Sequence, residues 1–134
     1  AQQNTEEHTL VELGNLFMDI GEYASGETAF LRVLSLNAKN ATARHNLAVT
    51  LLLAGRLDEG IEQAKGALRI QPKYMLAMHN LALAYMQKKD FVRARAWLRE
   101  ALDIAPEDAQ LRQLQMRMRL LGWWDGIKRR VWRR

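Results

Sequence analysis

PKYMLAMHNLALAYMQKKDFVRARAWLREALDIAP, residues 72–106, decides the fold. It opens on Pro72 and closes on Pro106, the two prolines of the chain, which stand 34 residues apart. Between them lie two apolar-periodic runs, 73–87 and 91–104, joined by a polar link in which Asp90 is placed to cap the second run. Shifted back by 34 residues, the stretch falls on a second copy, and shifted again on a third. Self-similarity at this period marks a helical solenoid, because one helix pair cannot bury its apolar face alone and stacked neighbours can.

The earlier copies obey the same scheme. In the second, Asn40 is the expected cap of a helix over 41–54, Gly55-Arg56 is the turn, and 57–70 follows until Gln71-Pro72 stops it, since proline starts a helix but does not continue one. In the first, Thr5 is the expected cap of a helix over 5–20, with Leu10, Leu13, Phe17 and Ile20 at helical spacing. Gly21 then supplies a turn and 23–36 forms the second run. Pro106 is expected to open a seventh helix, with Glu107 and Asp108 in its first turn and Leu111, Leu114, Met118 and Leu121 on its buried side. The units read from the sequence are therefore 5–38, 41–72 and 73–106, a capping helix over 107–121 and a basic, tryptophan-rich tail over 122–134.

Certain columns carry a resemblance. Met78, Leu81, Ala82, Tyr85, Ala94, Leu98 and Pro106 in the third copy align with Arg44, Leu47, Ala48, Leu51, Gly60, Ala64 and Pro72 in the second. In the first copy the same columns hold Leu10, Leu13, Gly14, Phe17, Gly26, Phe30 and Ala38. This large–Leu–small–aromatic, then small–large–Pro pattern resembles the tetratricopeptide repeat, over about residues 7–106. The large aromatic that usually opens the repeat is absent from all three copies, and Arg44 puts a charge there. The small residues at 14, 48 and 82, and at 26, 60 and 94, are expected where the two helices of a pair cross closely, with Leu13, Leu47 and Leu81 filling the space beside the crossing. The resemblance implies an all-α, right-handed superhelical solenoid of antiparallel helix pairs.

It also implies a site. Such repeats hold a peptide or helix of another protein on a concave wall made by the first helix of each pair. By that similarity the partner-binding residues are Asn15 and Met18 in the first copy, His45, Asn46, Val49 and Leu52 in the second, and His79, Asn80, Leu83 and Met86 in the third. Around them His8, Val11, Thr42, Leu53, Leu76 and Gln87 complete the wall. A contiguous apolar surface of this size marks an interaction site, and methionine suits a surface that adapts to a partner. Asparagine amides offer a donor and an acceptor to a peptide backbone. One variant of the family clamps a terminal carboxylate with cations beside two asparagines. Asn15 and Asn46 match those asparagines, but Val11, Leu76 and Asn80 stand where the cations belong, so the clamp is not expected here.

Composition bounds the remaining options. With 49% hydrophobic and 26% charged residues among 134, the chain has a globular balance, and no apolar run approaches the ~20 residues of a membrane-spanning helix. The absence of cysteine removes disulfides and thiolate chemistry but leaves the compartment open; a cytoplasmic setting is the expectation, with residues missing upstream of Ala1. No phosphate-cradling glycine loop or Gly-flanked serine nucleophile is present, and carboxylates such as Asp58, Glu59 and Glu62 fall on exposed helix faces. No enzyme activity, cofactor or metal is expected, because the repeated pair His45 and His79 lacks the third ligand that even an open zinc site takes.

The net charge of +5 is concentrated at one end: residues 117–134 hold seven Arg or Lys against Asp125 alone. In the tail, Trp123, Trp124, Lys128, Arg129, Arg130 and Trp132 form a basic amphipathic segment, with Leu120, Trp124, Ile127 and Val131 spaced as one helix face. Three roles are open to it. It extends the cap and packs its tryptophans on the body, it lies on an anionic membrane surface, or it meets an acidic partner, with nucleic acid the least favoured. Gly122 and Gly126 each cost ~1 kcal/mol of helix propensity, so ordering on contact is expected. The partners expected are thus a protein or peptide, a second copy of the chain, or an anionic membrane.

Overall fold

The computed structural model describes residues 2–133, with side chains from Asn4 onward. Seven helices follow one another: α1 (Gln2–Asp19), α2 (Tyr23–Leu36), α3 (Ala41–Leu53), α4 (Leu57–Ile70), α5 (Met75–Gln87), α6 (Phe91–Ile104) and α7 (Ala109–Trp132). The first six form three antiparallel pairs stacked in chain order, each pair packing on the next. Among the described residues there is no strand, and no helix is long and apolar enough to cross a membrane.

Local chemistry sets the helix ends. Asn40 Oδ1 accepts from the Ala43 backbone N–H at 2.9 Å, Asp90 Oδ1 from Arg93 at 3.1 Å and Asp108 Oδ1 from Leu111 at 2.9 Å, satisfying donors that a helix start otherwise leaves free. Three turns use left-handed backbone at positions spaced by the repeat: Gly21 (φ 80°), Gly55 (φ 82°) and, with a side chain, Lys89 (φ 60°). Three expected boundaries shift. α1 already runs from Gln2, so Thr5 lies inside the helix and its carbonyl accepts from the Thr9 hydroxyl. α5 starts at Met75, after a turn closed by the Tyr74 N–H on the Gln71 carbonyl. The last helix begins at Ala109, because Asp108 spends its carboxylate on the cap and leaves Pro106-Glu107 in the turn.

The core is continuous across the pairs. Phe30, Leu47 and Leu51 join the first pair to the second, and Ala64, Leu68, Met78, Leu81, Leu98, Leu111 and Leu114 bind the second and third pairs to α7. The small columns work as crossings. A Cβ on Gly14 would lie 2.6 Å from the Phe30 ring, and one on Gly60 would lie 2.6 Å from Leu52 Cδ2 and 3.1 Å from the Ala48 carbonyl. Arg44, the charge in an aromatic column, is accommodated lengthwise: its stem lies over Gly66, and its guanidinium donates to Gln63 Oε1 at 3.1 Å and the Ala38 carbonyl at 3.0 Å.

Curvature follows from which layers touch. α1 meets α3 and α3 meets α5, whereas among the described residues no comparable contact joins α2 to α4 or α4 to α6. The first helices therefore form the tighter, inner layer. Leu13 departs from its column: Leu47 and Leu81 are buried by the pair that precedes them, and Leu13, with no pair before it in these residues, is 42% exposed.

Candidate functional site

Among the described residues, depressions open on the inner layer at two places. The first lies between α1 and α3, with a volume of about 270 Å³, and is lined by Asn4, Glu7, His8, Val11, Asn40 and Thr42. The second lies between α3 and α5, with a volume of about 150 Å³, and is lined by Val49, Leu52, Leu53, Asn80, Leu83, Ala84 and Gln87. Of the residues expected on the wall, Val49, Leu52, Asn80 and Leu83 thus share one depression. Leu53 beside them stays 55% exposed, and Leu76, one turn before Asn80, 46%. Gly60 lets Leu52 lie flat in the helix crossing, since any side chain there would displace it.

Between the depressions, Asn46 Nδ2 donates to Asn15 Oδ1 at 2.9 Å, linking α3 to α1. This bond fixes both amides, leaving the Asn15 amide nitrogen and the Asn46 carbonyl oxygen for an occupant. Met18 and Val11 pack on the Phe30–Leu47–Leu51 cluster, and Met86 with Leu83 packs on the larger core, each with part of its surface open.

His45 does not belong to this wall. It is 6% exposed and packs against Tyr74 with ring centroids 4.8 Å apart and the rings tilted by 47°; burial pushes its pKa down, and its Nδ1 has no hydrogen-bond partner. His79 is half-buried, its pKa also lowered by burial and raised in part by the charge of Asp108. Tyr74 and Asp108 are themselves 34 residues apart, each just before the first helix of the following unit. The recurring histidine is therefore a junction residue between successive units, which period alone does not distinguish from a recurring groove residue. Among the described residues no group of three His, Asp or Glu could hold a metal ion.

Glu7 is a wall residue that sequence reasoning missed. It is buried, and Oε2 accepts from the side-chain amides of Asn37 at 3.2 Å and Asn40 at 3.3 Å, tying α1 to the loop before α3. The two asparagines that close the first repeat were the available signal.

Against known proteins, two tetratricopeptide repeat family models match residues 11–74 and 51–117, together running from the middle of α1 through the third pair into α7. The chain belongs to the tetratricopeptide repeat family. The TPR repeat-containing thioredoxin TTL4 of Arabidopsis thaliana is 30% identical over 115 residues, covering 86% of this tetratricopeptide chain and 17% of that protein. The chain spans less than a fifth of the length of such relatives. The Arabidopsis OM64 TPR domain has a TM-score of 0.83 at 20% identity, covering 87% of this chain and 97% of that one. The first TPR of Spaghetti (RPAP3), bound to the HSP90 peptide SRMEEVD, has a TM-score of 0.82 at 14% identity, covering 87% and 93%. These two likenesses establish the fold.

The end of this repeat domain differs from the expected cap and separate tail. α7 is one helix of 24 residues, running through both Gly122 and Gly126. Propagating a formed helix adds a hydrogen bond per residue, which two glycines at ~1 kcal/mol each do not offset. Its buried residues, Leu111, Leu114 and Met118, all lie in its first half, and Leu121 is 40% exposed. The tryptophans do not pack on the body: Trp123 is 65%, Trp124 51% and Trp132 84% exposed. A 24-residue helix is ~36 Å long against ~21 Å for the 14 residues of α6, so its second half outruns the surface that covers the first. Lys128 sits 5.6 Å from the Trp124 ring, a cation–π pair one turn apart, and Arg129 and Arg130 are exposed.

Proposed function

We propose that this tetratricopeptide domain is a non-enzymatic adaptor that holds an uncharged, largely apolar peptide or helix of another protein along its concave wall. The observation that carries the reading is the α3/α5 depression, where Val49, Leu52, Leu53 and Leu83 present apolar surface beside the Asn80 and Gln87 amides, with no Lys or Arg among the lining residues of either depression. Apolar pockets give such a ligand its affinity, and the amides fix its backbone. Solved relatives of the fold support a protein ligand, one of them carrying a seven-residue peptide. That peptide holds three carboxylate side chains, whereas among the described residues no Lys or Arg lines either depression to receive them, which favours a different ligand chemistry.

Selection from a displayed peptide library tests the assignment. The chain should enrich apolar, weakly charged sequences, and Leu52→Asp combined with Met86→Glu should abolish their capture while leaving the far-ultraviolet helix signal intact. Capture unchanged by these substitutions refutes the wall as the site.

The exposed tryptophans favour a second reading, in which the outer half of α7 contacts an anionic membrane surface. Trp123 and Trp132 stand exposed beside Arg129 and Arg130 on one helix, the residue pairing that prefers a lipid interface. Flotation with anionic vesicles should be lost in a chain ending at Leu121. Equal flotation of the two chains eliminates this role.

A further inference from the structure

The α1/α3 depression holds a charge without a counter-charge. Glu7 lines it and is 7% exposed, yet among the described residues no Lys or Arg pairs with its carboxylate. The other carboxylates beside it on α1 do have partners: Glu6 lies 3.7 Å from Arg32, and Glu12 lies 3.2 Å from His8 Nε2. A carboxylate taken this far out of water ordinarily has a cation or a full set of donors. Glu7 has half a set. Oε2 accepts from both Asn37 and Asn40, while among the described residues no hydrogen bond reaches Oε1, which is not fully enclosed and so remains open at the depression.

The next junction of the solenoid is built differently at the same positions. One repeat on, Ala41 stands in place of Glu7, His45 in place of Val11 and Tyr74 in place of Asn40. There the Tyr74 ring packs against the buried His45 with centroids 4.8 Å apart. Rings close the second junction, and the first is left open over a carboxylate. The chemistry of the opening selects its occupant. Among the described residues no group of three His, Asp or Glu could hold a metal ion, so the counter-charge is organic. A guanidinium fork takes both oxygens of a carboxylate, and here Oε2 already serves two amides. A primary ammonium needs only Oε1, and it can offer its remaining donors to the Asn4 and Thr42 oxygens in the same lining. Val11 beside them gives an aliphatic stem something to lie on.

We propose that the α1/α3 depression receives a lysine side chain of the partner, its ammonium on Glu7 Oε1. The inference rests on the concave wall being the ligand site, and it adds that an otherwise uncharged ligand carries one positive charge at its α1/α3 end. Glu7 then fixes the direction in which the ligand lies, because the α3/α5 depression has apolar surface and amides but no carboxylate.

A probe that carries the lysine side chain alone tests the pocket apart from the wall. Nα-acetyl-lysine methylamide, titrated into the full chain at neutral pH up to about 50 mM, should shift the side-chain amide NMR signals of Asn37 and Asn40 saturably. The norleucine analogue, which keeps the stem and lacks the charge, should not. Glu7→Gln leaves an acceptor for the two asparagine amides and removes the charge, so it should abolish the response to the lysine probe. Glu12→Gln, which removes an exposed acid of the same helix outside the lining, should keep it. Among displayed peptides captured by the wild-type chain, lysine should be enriched at a fixed spacing from the apolar anchors, and Glu7→Gln should erase that enrichment while apolar selection persists. Equal responses to the lysine and norleucine probes, or a lysine response that survives Glu7→Gln, overturn the lysine site and leave the apolar wall standing. A Glu7-dependent probe response without any peptide capture supports the lysine site and counts against the wall alone.

Discussion

Replacing Gly14 by alanine tests the crossing of α1 and α2 directly. The new Cβ would lie 2.6 Å from Phe30 Cε1 and Cζ and 3.0 Å from Cδ1, whereas carbon atoms rest at about 3.5–4.0 Å, so the ring must move by about 1 Å. Phe30 is fully buried, and forcing an extra methyl into a packed core costs about 1–3 kcal/mol. Alanine returns about 1 kcal/mol of helix propensity. The net loss is about 0–2 kcal/mol, which should lower the melting midpoint by up to a few degrees. Because contacts in a solenoid run between neighbours, the loss should concentrate in the first pair and appear as faster amide exchange in α1 and α2 than in α5 and α6. Phe30→Leu shortens the obstructing side chain, so in the Gly14→Ala background its cost should be smaller than in the wild type, a coupling that a double-mutant cycle reads. Gly122 and Gly126 are the comparison: no atom lies within 4 Å of a Cβ built on either, so alanine there should raise exchange protection in the outer half of α7. A Gly14→Ala chain that melts above the wild type, or a double-mutant cycle with no coupling between positions 14 and 30, would refute the crossing argument.

Further outcomes follow from particular residues. Lys89→Gly should raise stability by about 0.5–1 kcal/mol, read as a higher urea midpoint, since Lys89 holds the left-handed backbone that Gly21 and Gly55 hold at the equivalent turns; an unchanged or lower midpoint would count against strain there. Burial holds the pKa values of His45 and His79 below the ordinary 6.5, so the folded chain binds fewer protons than the unfolded one. Stability should accordingly be full above pH 6.5 and fall as the pH drops toward the lower folded values, and His45→Phe, which keeps the packing on Tyr74, should flatten part of that fall in melting scans. The peptide SRMEEVD should show no saturable binding by calorimetry, and tight binding would mean that cations reach the wall by a route its lining does not show.

Much of the architecture was legible because it rests on short-range rules. Asn40 and Asp90 cap the helices they precede, Gly21 and Gly55 make the turns, and the paired small columns mark the crossings. The boundary readings failed where two local signals competed: Asp108 as a cap overrides Pro106 as a helix start, and a helix already formed carries through Gly122 and Gly126. In the candidate site, Val49, Leu52, Asn80 and Leu83 were expected on the wall from the family resemblance, and the four line one depression. His45 was misplaced by the same reasoning, since a recurring position states that an environment repeats without stating which environment it is. Glu7 was missed because its partners lie in a loop about 30 residues away.

The sequence by itself determined the number of helix pairs, their period and the columns that must be small or leucine, because each depends on spacing along one helix or on a clash between adjacent ones. Only the tertiary structure decided which surfaces remain open. Leu13 and Leu47 occupy the same column, yet the second is buried by the pair before it and the first is not. The tryptophans of α7 are apolar by chemistry and exposed by position, because the helix that carries them is longer than the body it caps. Exposure depends on what a face meets, and in a stack of near-identical units only the arrangement of neighbours settles it.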